Sequence, residues 1–169
     1  ITSVKEQIYQ TLKDTWGNEL RTFEAIRAVT PMDTIFSLDA TVATSRAIRC
    51  LSINQPRTFM YPHGWVGIGF AFPAALGAKA GNPKSPVVCV TGDGGFQYNF
   101  QELATGAQYG IHPIVLMFND NAWGVLKGMQ QNSHKGRFMG TDLVNPDFVK
   151  LFESYGFEGT KVATLDQLS

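Results

Sequence analysis

Cysteine is scarce: Cys50 and Cys89 are the only 2 in 169 residues. Two isolated cysteines cannot build a disulfide framework, a CxxC redox pair or a structural zinc site. Cys89 lies inside the apolar run Val87–Val90 and reads as a small buried hydrophobe. Net charge is lacking as well, since 14 Lys+Arg balance 14 Asp+Glu. A general nucleic-acid or membrane-surface binder would carry a basic excess, so both classes are excluded. A local phosphate site built from backbone N–H groups and a metal is not. No apolar run reaches the ~18 residues that a membrane span needs. Residues Ile1 to Leu20 hold no signal-peptide core, so a reducing cytoplasm is the expected compartment. The histidines His63, His112 and His134 do not stand at metal-ligand spacing. Internal repeats and low-complexity segments are also missing.

Hydrophobic residues make up 44% and charged residues 17%, enough for one packed domain over residues 1–169. Both ends read as cut. The chain opens on Ile1 rather than Met, and it closes on Thr164–Ser169, where Thr164 resembles an N-cap and the next residues a first helical turn. The expectation is a piece of a longer multidomain polypeptide.

Local patterns alternate between strand and helix. Ile8–Thr15 and Asn18–Val29 read as amphipathic helices, and Thr34–Leu38 as a short strand. Ala40–Leu51 is a loop leading into a helix, Thr58–Tyr61 a second strand, and Gly64–Gly69 a glycine-rich turn. Phe70–Ala80 is helical if Pro73 lies in its first turn. Pro86–Thr91 is a continuous β-branched run and Pro113–Phe118 another apolar strand, as expected of strands buried on both faces. Between them Phe96, Phe100, Leu103, Ala104 and Ala107 form one helical stripe that ends at Gly110. Gly128–Asn145 reads as a mobile loop, Pro146–Tyr155 as a helix capped by Asn145, and Phe157–Ala163 as a last strand. This order predicts an α/β fold: a doubly wound, mostly parallel sheet with helices on both faces, which binds ligands outside the carboxyl ends of its strands.

Two consecutive strands end in acidic turns, Gly92-Asp93-Gly94-Gly95 and Asn119-Asp120-Asn121. The first presents a carboxylate just where unpaired helical N–H groups favour an anion. A carboxylate and a diphosphate repel each other there, and a divalent cation between them removes the conflict. Mg²⁺ suits this role, being commonly shared between one or two carboxylates and phosphate oxygens. Gly124 lets the chain leave the second turn sharply, and the Ala122 carbonyl is a candidate third oxygen. A lone GDG tripeptide is also an ordinary turn. No GxGxxG or GK[ST] loop is present, which speaks against a Rossmann or Walker-type nucleotide site. On the residues alone, a non-catalytic doubly wound domain for a nucleotide or other phosphate ligand stays open.

The stretch GDGGFQYNFQELATGAQYGIHPIVLMFNDNAWG, from Gly92 to Gly124, resembles the motif by which enzymes bind thiamin diphosphate (ThDP). GWVGIGFAFPAALGAKAG, Gly64 to Gly81, and NPDFVKLFESYG, Asn145 to Gly156, are similar to flanking parts of the same family. The likeness covers most of the chain and is greatest to the diphosphate domain of the acetolactate synthase, benzoylformate decarboxylase and pyruvate decarboxylase group. It implies that Asp93, Asp120 and the Ala122 carbonyl bind Mg²⁺, with Asp120 standing where the family usually has Asn. It implies that Gly92, Gly94 and Gly95 cradle the diphosphate, that Trp123 and Gly124 close over it, and that Thr41 touches it. Ile68 matches the bulky apolar residue that props the cofactor in a bent form, and the backbone of Val66, Gly67 and Ile68 would meet the aminopyrimidine edge. Val66 stands where similar chains tend to have Gly. The glutamate that activates the cofactor has no counterpart here, so no catalytic residue is expected in this chain. That residue belongs to a pyrimidine-binding domain, usually of a second subunit, which implies a homodimer or homotetramer acting on a small 2-oxo acid.

Overall fold

The computed structural model describes residues 2–168; Ile1 and Ser169, the ends of the expected domain, lie outside the described residues. Thr2–Ala28 form a long helix, α1, broken at Trp16, whose φ of −138° and ψ of 46° are not helical. The two helices expected from the periodicity therefore run on as one element with a kink between them. The strands are β1 (Ile35–Leu38), β2 (Phe59–Met60), β3 (Val87–Gly92) and β4 (Ile114–Phe118), and the helices between them are α2 (Val42–Cys50), α3 (Ala71–Gly81), α4 (Asp93–Phe96) and α5 (Leu103–Tyr109). The chain ends with α6 (Gly124–Ser133), α7 (Phe148–Ser154) and a short 3₁₀ turn at Leu165–Leu168.

All strand pairs are parallel, and the spatial order is β2-β1-β3-β4. From β1 the chain steps outward to β2, then crosses back to β3 and on to β4. The direction of winding thus reverses between β1 and β3, the place where open α/β sheets leave a crevice at their carboxyl ends. The alternation of β3 explains the layers. Val88 and Val90 face a core made with Leu20, Phe23 and Ile26 of α1 and Ala47 of α2. Val87 and Cys89 face the opposite core with Ala71, Phe72 and Leu76 of α3 and Phe96. Phe96 is the centre of that second core, stacked on Phe152 at 5.2 Å and meeting Phe72 and Phe148 edge-on. The doubly wound parallel sheet expected from the sequence is therefore present.

Five local expectations are corrected. β4 is an edge strand, with Ile114 and Phe118 exposed, because no further strand pairs with it among the described residues. The stripe from Phe96 to Ala107 is split: α4 stops at Phe96, and a 3₁₀ turn at Phe100–Glu102 leads into α5. The first part of Gly128–Asn145 is helical as part of α6, and the rest is tied down by side chains. Gln130 bonds both the N–H and the carbonyl of Met139, and Lys127 reaches Asp142. Phe157–Ala163 forms no strand. Finally, Asp147 rather than Asn145 caps α7, accepting from the N–H groups of Val149 and Lys150. Both residues are good caps, and Asn145 is withdrawn because its amide is used in the site.

Candidate functional site

A cavity of about 700 Å³ opens at the carboxyl ends of β1, β3 and β4, at the reversal of winding. Its floor is the turn Gly92–Gly95, one wall is the second acidic turn with α6, and the opposite wall is the start of α2 with α1. Of the residues singled out in the sequence, Thr41, Val66, Ile68, Gly92, Asp93, Gly94, Gly95, Asp120, Ala122, Trp123 and Gly124 all line it. Gly67 does not, although it sits between two lining residues.

The floor is shaped by close approaches. A Cβ on Gly94 would stand 2.6 Å from the Trp123 ring, and one on Gly95 would stand 2.8 Å from Asp39 Oδ2. A Cβ on Gly124 would fall 2.4 Å from Asp120 Oδ2, and one on Gly92 would touch Thr41 Cγ2 at 3.0 Å. Each glycine of the two turns is thus the space into which another residue of the site packs. Trp123 lies on Gly94, so its ring closes the floor of the cavity. Thr41 has a structural duty too: it caps α2, its hydroxyl accepting from Thr44 N at 3.1 Å while the Thr44 hydroxyl accepts from Thr41 N.

Asp93 is buried, at 2% exposure, and its Oδ2 accepts from Asn145 Nδ2 at 2.6 Å. Asp120 stands nearer solvent. Burial, then the Asp93 charge, pushes its carboxyl above the usual carboxylate range. The two acidic groups therefore lie close together, and the Asp93 charge disfavours ionisation of Asp120. Beside them Ala122 forms an isolated antiparallel bridge with Asp142. The bonds of that bridge run through the Asn121 carbonyl and Trp123 N–H, so the Ala122 carbonyl is left out of it. Two facing carboxylates and a free carbonyl are an oxygen donor set that fits Mg²⁺, which needs few protein ligands when phosphates and water complete its octahedron.

Sequence reasoning missed Asp39. It is 1% exposed at the end of β1 and accepts from Gly69 N, Ala40 N and the Thr91 hydroxyl. Burial raises its carboxyl above the ordinary value despite those donors. A single Asp in a short loop carries no sequence signal of this role; only the fold brings Gly69 and Thr91 to it. Asn145, Asn119 and the Arg46–Glu19 ion pair at the rim were missed in the same way. Lys127 is paired with Asp142 and lies over Phe138.

The glycine-rich turn before α3 carries strain. Val66 has φ of +53°, a region that a β-branched residue enters only at a cost. Its side chain is largely exposed and gains little by burial in return.

Fold and cavity together define a parallel α/β domain with a cavity lined by two acidic turns at its switch point. Residues 39–169 match the family described as "Thiamine pyrophosphate enzyme, C-terminal TPP binding domain", and the chain belongs to that family. It is 46% identical over 116 residues to the acetolactate synthase large subunit of Haemophilus influenzae, a match covering 68% of this chain and 20% of that protein. It is 40% identical over 111 residues to the acetolactate synthase isozyme 3 large subunit of Escherichia coli, covering 65% of this chain and 19% of that protein. The chain thus spans about a fifth of the length of these relatives. Among solved structures, the thiamine diphosphate-dependent 4-hydroxybenzoylformate decarboxylase of Rhodococcus jostii RHA1 superposes with a TM-score of 0.80 at 31% identity, over 89% of this chain and 28% of that one. The ligand that this family binds is thiamin diphosphate, which sets aside an unrelated nucleotide-binding domain.

Two outcomes follow from the site's construction. Val66→Gly should raise stability by up to about 1 kcal/mol, the relief of left-handed strain less the entropy that glycine loses on folding. Val66→Ala, which keeps Cβ, should bring no gain; equal melting points for all three chains would contradict the strain. Asp39 supplies a pH signature. Its folded value is raised, so its contribution is full below the ordinary value of 3.8 and is lost as pH rises through the folded value. The stability of the wild type relative to Asp39→Asn should therefore grow as pH is lowered from neutrality towards 3.8. Parallel denaturation curves across that window would refute it.

Proposed function

We propose that this chain is the diphosphate half of the active site of a ThDP-dependent enzyme that decarboxylates a 2-oxo acid, with or without carboligation, in the manner of acetolactate synthase. The observation that carries the metal part of this reading is the meeting of Asp93 and Asp120 beside the unused Ala122 carbonyl. Mg²⁺ would be held by those three groups and by diphosphate oxygens. The N–H groups of Gly94 and Gly95 belong to the first turn of α4, where no intrahelical carbonyl is available to them, and they would meet the diphosphate. Trp123 and Gly124 would bound it from the second turn. When bound, the cofactor supplies the carbanion chemistry at the 2-oxo carbon.

Ile68 would act by shape. It is 42% exposed and lines the cavity, which is not how a core residue sits. A bulky side chain there would support the cofactor in a bent form, with the backbone at Val66 and Ile68 meeting the aminopyrimidine. Nearby, Trp65 is 91% exposed. An uncovered apolar rim of this kind fits an interface, here with the pyrimidine-binding domain of a second subunit in a homodimer or homotetramer. That partner would donate the activating glutamate, so the chain alone would bind the diphosphate end and not turn over. The parent would be one multidomain polypeptide of the cytoplasm, with residues 1–169 as a single domain. No helix among the described residues is long and apolar enough to cross a membrane.

The metal reading is tested by Asp93→Ala in the full-length protein. Calorimetric titration should show Mg²⁺-dependent ThDP binding abolished, with the circular dichroism of the fold retained; unchanged affinity would overturn the assignment. Ile68→Ala leaves every metal and phosphate contact in place. Its ThDP affinity should stay within a few-fold of wild type and its melting temperature should barely move, while kcat of the parent falls by roughly 10–100-fold through lost positioning. A normal kcat would leave Ile68 without the shaping role.

A further inference from the structure

Asn145 connects three parts of the site that are distant in sequence. Its Nδ2 lies 2.6 Å from Asp93 Oδ2, 2.9 Å from Asn119 Oδ1 and 3.1 Å from Asn121 Oδ1. Its Oδ1 accepts from Gln97 Nε2 at 2.9 Å, and Gln97 also reaches the Asp93 carbonyl at 3.3 Å. One side-chain amide thus spans the floor turn and the second acidic turn. It is itself held from behind by the backbone, since Trp123 N–H donates to the Thr141 carbonyl and Leu143 N–H to that of Asn121, both at 2.8 Å. The segment from Thr141 to Asn145 is a strap across the second turn, and Asn145 is the point where the strap meets the buried carboxylate.

This arrangement has a consequence for Asp93. A carboxylate rotates about its Cβ–Cγ bond unless one oxygen is fixed, and fixing Oδ2 sets the direction of the other oxygen. The amide has two N–H groups for three acceptors, so Asn119 and Asn121 share what Asp93 leaves. Asn121 is in the left-handed region, with φ of +53°, and its backbone carbonyl is taken by the strap. The turn that carries Asp120 and Ala122 is therefore set by the same contacts that set Asp93. Groups that orient a metal ligand without touching the metal are worth roughly 10–100-fold in metal affinity.

We propose that Asn145 is a positioning residue of the cofactor site, which orients Asp93 and the Asn119–Asn121 turn for binding of Mg²⁺ and ThDP. The proposal rests on the reading of Asp93 as a metal ligand given above. Its test uses the full-length protein and titrates ThDP at saturating Mg²⁺, and Mg²⁺ at saturating ThDP, followed by the fluorescence of the site tryptophans. Asn145→Ala should raise both apparent Kd values by roughly 10–100-fold. Asn145→Ser, which keeps one donor and is the milder change should the alanine variant not fold, should raise them less but by more than twofold. A purely structural residue would lower the melting temperature of the cofactor-free protein and leave both affinities of the folded fraction intact. Affinities within twofold of wild type in either folded variant overturn the proposal. Asp93→Ala in the same titration separates the two levels. If it abolishes binding while the Asn145 variants bind normally, the positioning role alone fails; if it binds normally, the metal assignment fails and the positioning role falls with it.

Discussion

The buried carboxylate of Asp39 is the constraint on which the site depends. It sits at the end of β1, where the winding reverses, and it collects donors from three places: the next residue, the turn before α3, and β3. Its oxygens satisfy the Gly69 N–H and the Thr91 hydroxyl, both buried groups that would be costly to leave unpaired. Asp39 also fills the space beside Gly95. The turn that presents Asp93 is thereby fixed relative to the turn that carries Ile68. Asn99 repeats the link from the other side, donating to the Gly69 carbonyl at 2.8 Å. The turn that carries Asp93 and the turn that carries Ile68 are thus joined through one residue, Gly69.

Electrostatics then explain why the second acidic turn has the composition it has. Asp93 is held away from water by Trp123, Asn145 and the strand ends, and a second carboxylate nearby is unfavourable without a cation. Asp120 bears that cost, its carboxyl raised by burial and by Asp93. Its Oδ1 takes Ala122 N–H at 3.2 Å, an Asx turn that leaves Oδ2 lying against Gly124. A cation between the two groups reverses the sign of their interaction and turns a destabilising pair into a binding site.

Much of this could be read from the residues. β3 and β4 were legible because each is a short apolar run opened by proline and closed by a polar turn, too short for a buried helix, and the acidic turns because Gly and Asp mark the strand ends. The resemblance then supplied roles for twelve positions, of which all but Gly67 line the cavity. What escaped was whatever depends on tertiary choice. Edge exposure of β4 depends on neighbours that its own sequence does not contain. Asn145 and Asp147 are equally good helix caps by local chemistry, and only the approach of Asp93 decides that Asn145 is drawn into the site while Asp147 caps α7. Asp39 and Asn145, both missed, are the two residues that hold parts of the site together over long sequence separations.

The glycines of the site show what kind of rigidity this is. Gly92, Gly94, Gly95 and Gly124 do not occupy the left-handed region, so backbone freedom is not the reason they are glycine. They are glycine because Thr41, Trp123, Asp39 and Asp120 stand where a Cβ would be. The residues of the site that do adopt positive φ are Gly69 and, with side chains, Val66 and Asn121. Conformational cost is thus concentrated at two turns on the rim, while the floor is an interlocked set of unstrained contacts. Such a floor resists small adjustment, because moving any one turn opens a gap under a tryptophan or a buried carboxylate. A rigid floor beneath a strained rim would suit the function proposed above, with a phosphate end that is fixed and a ring end that bends its ligand.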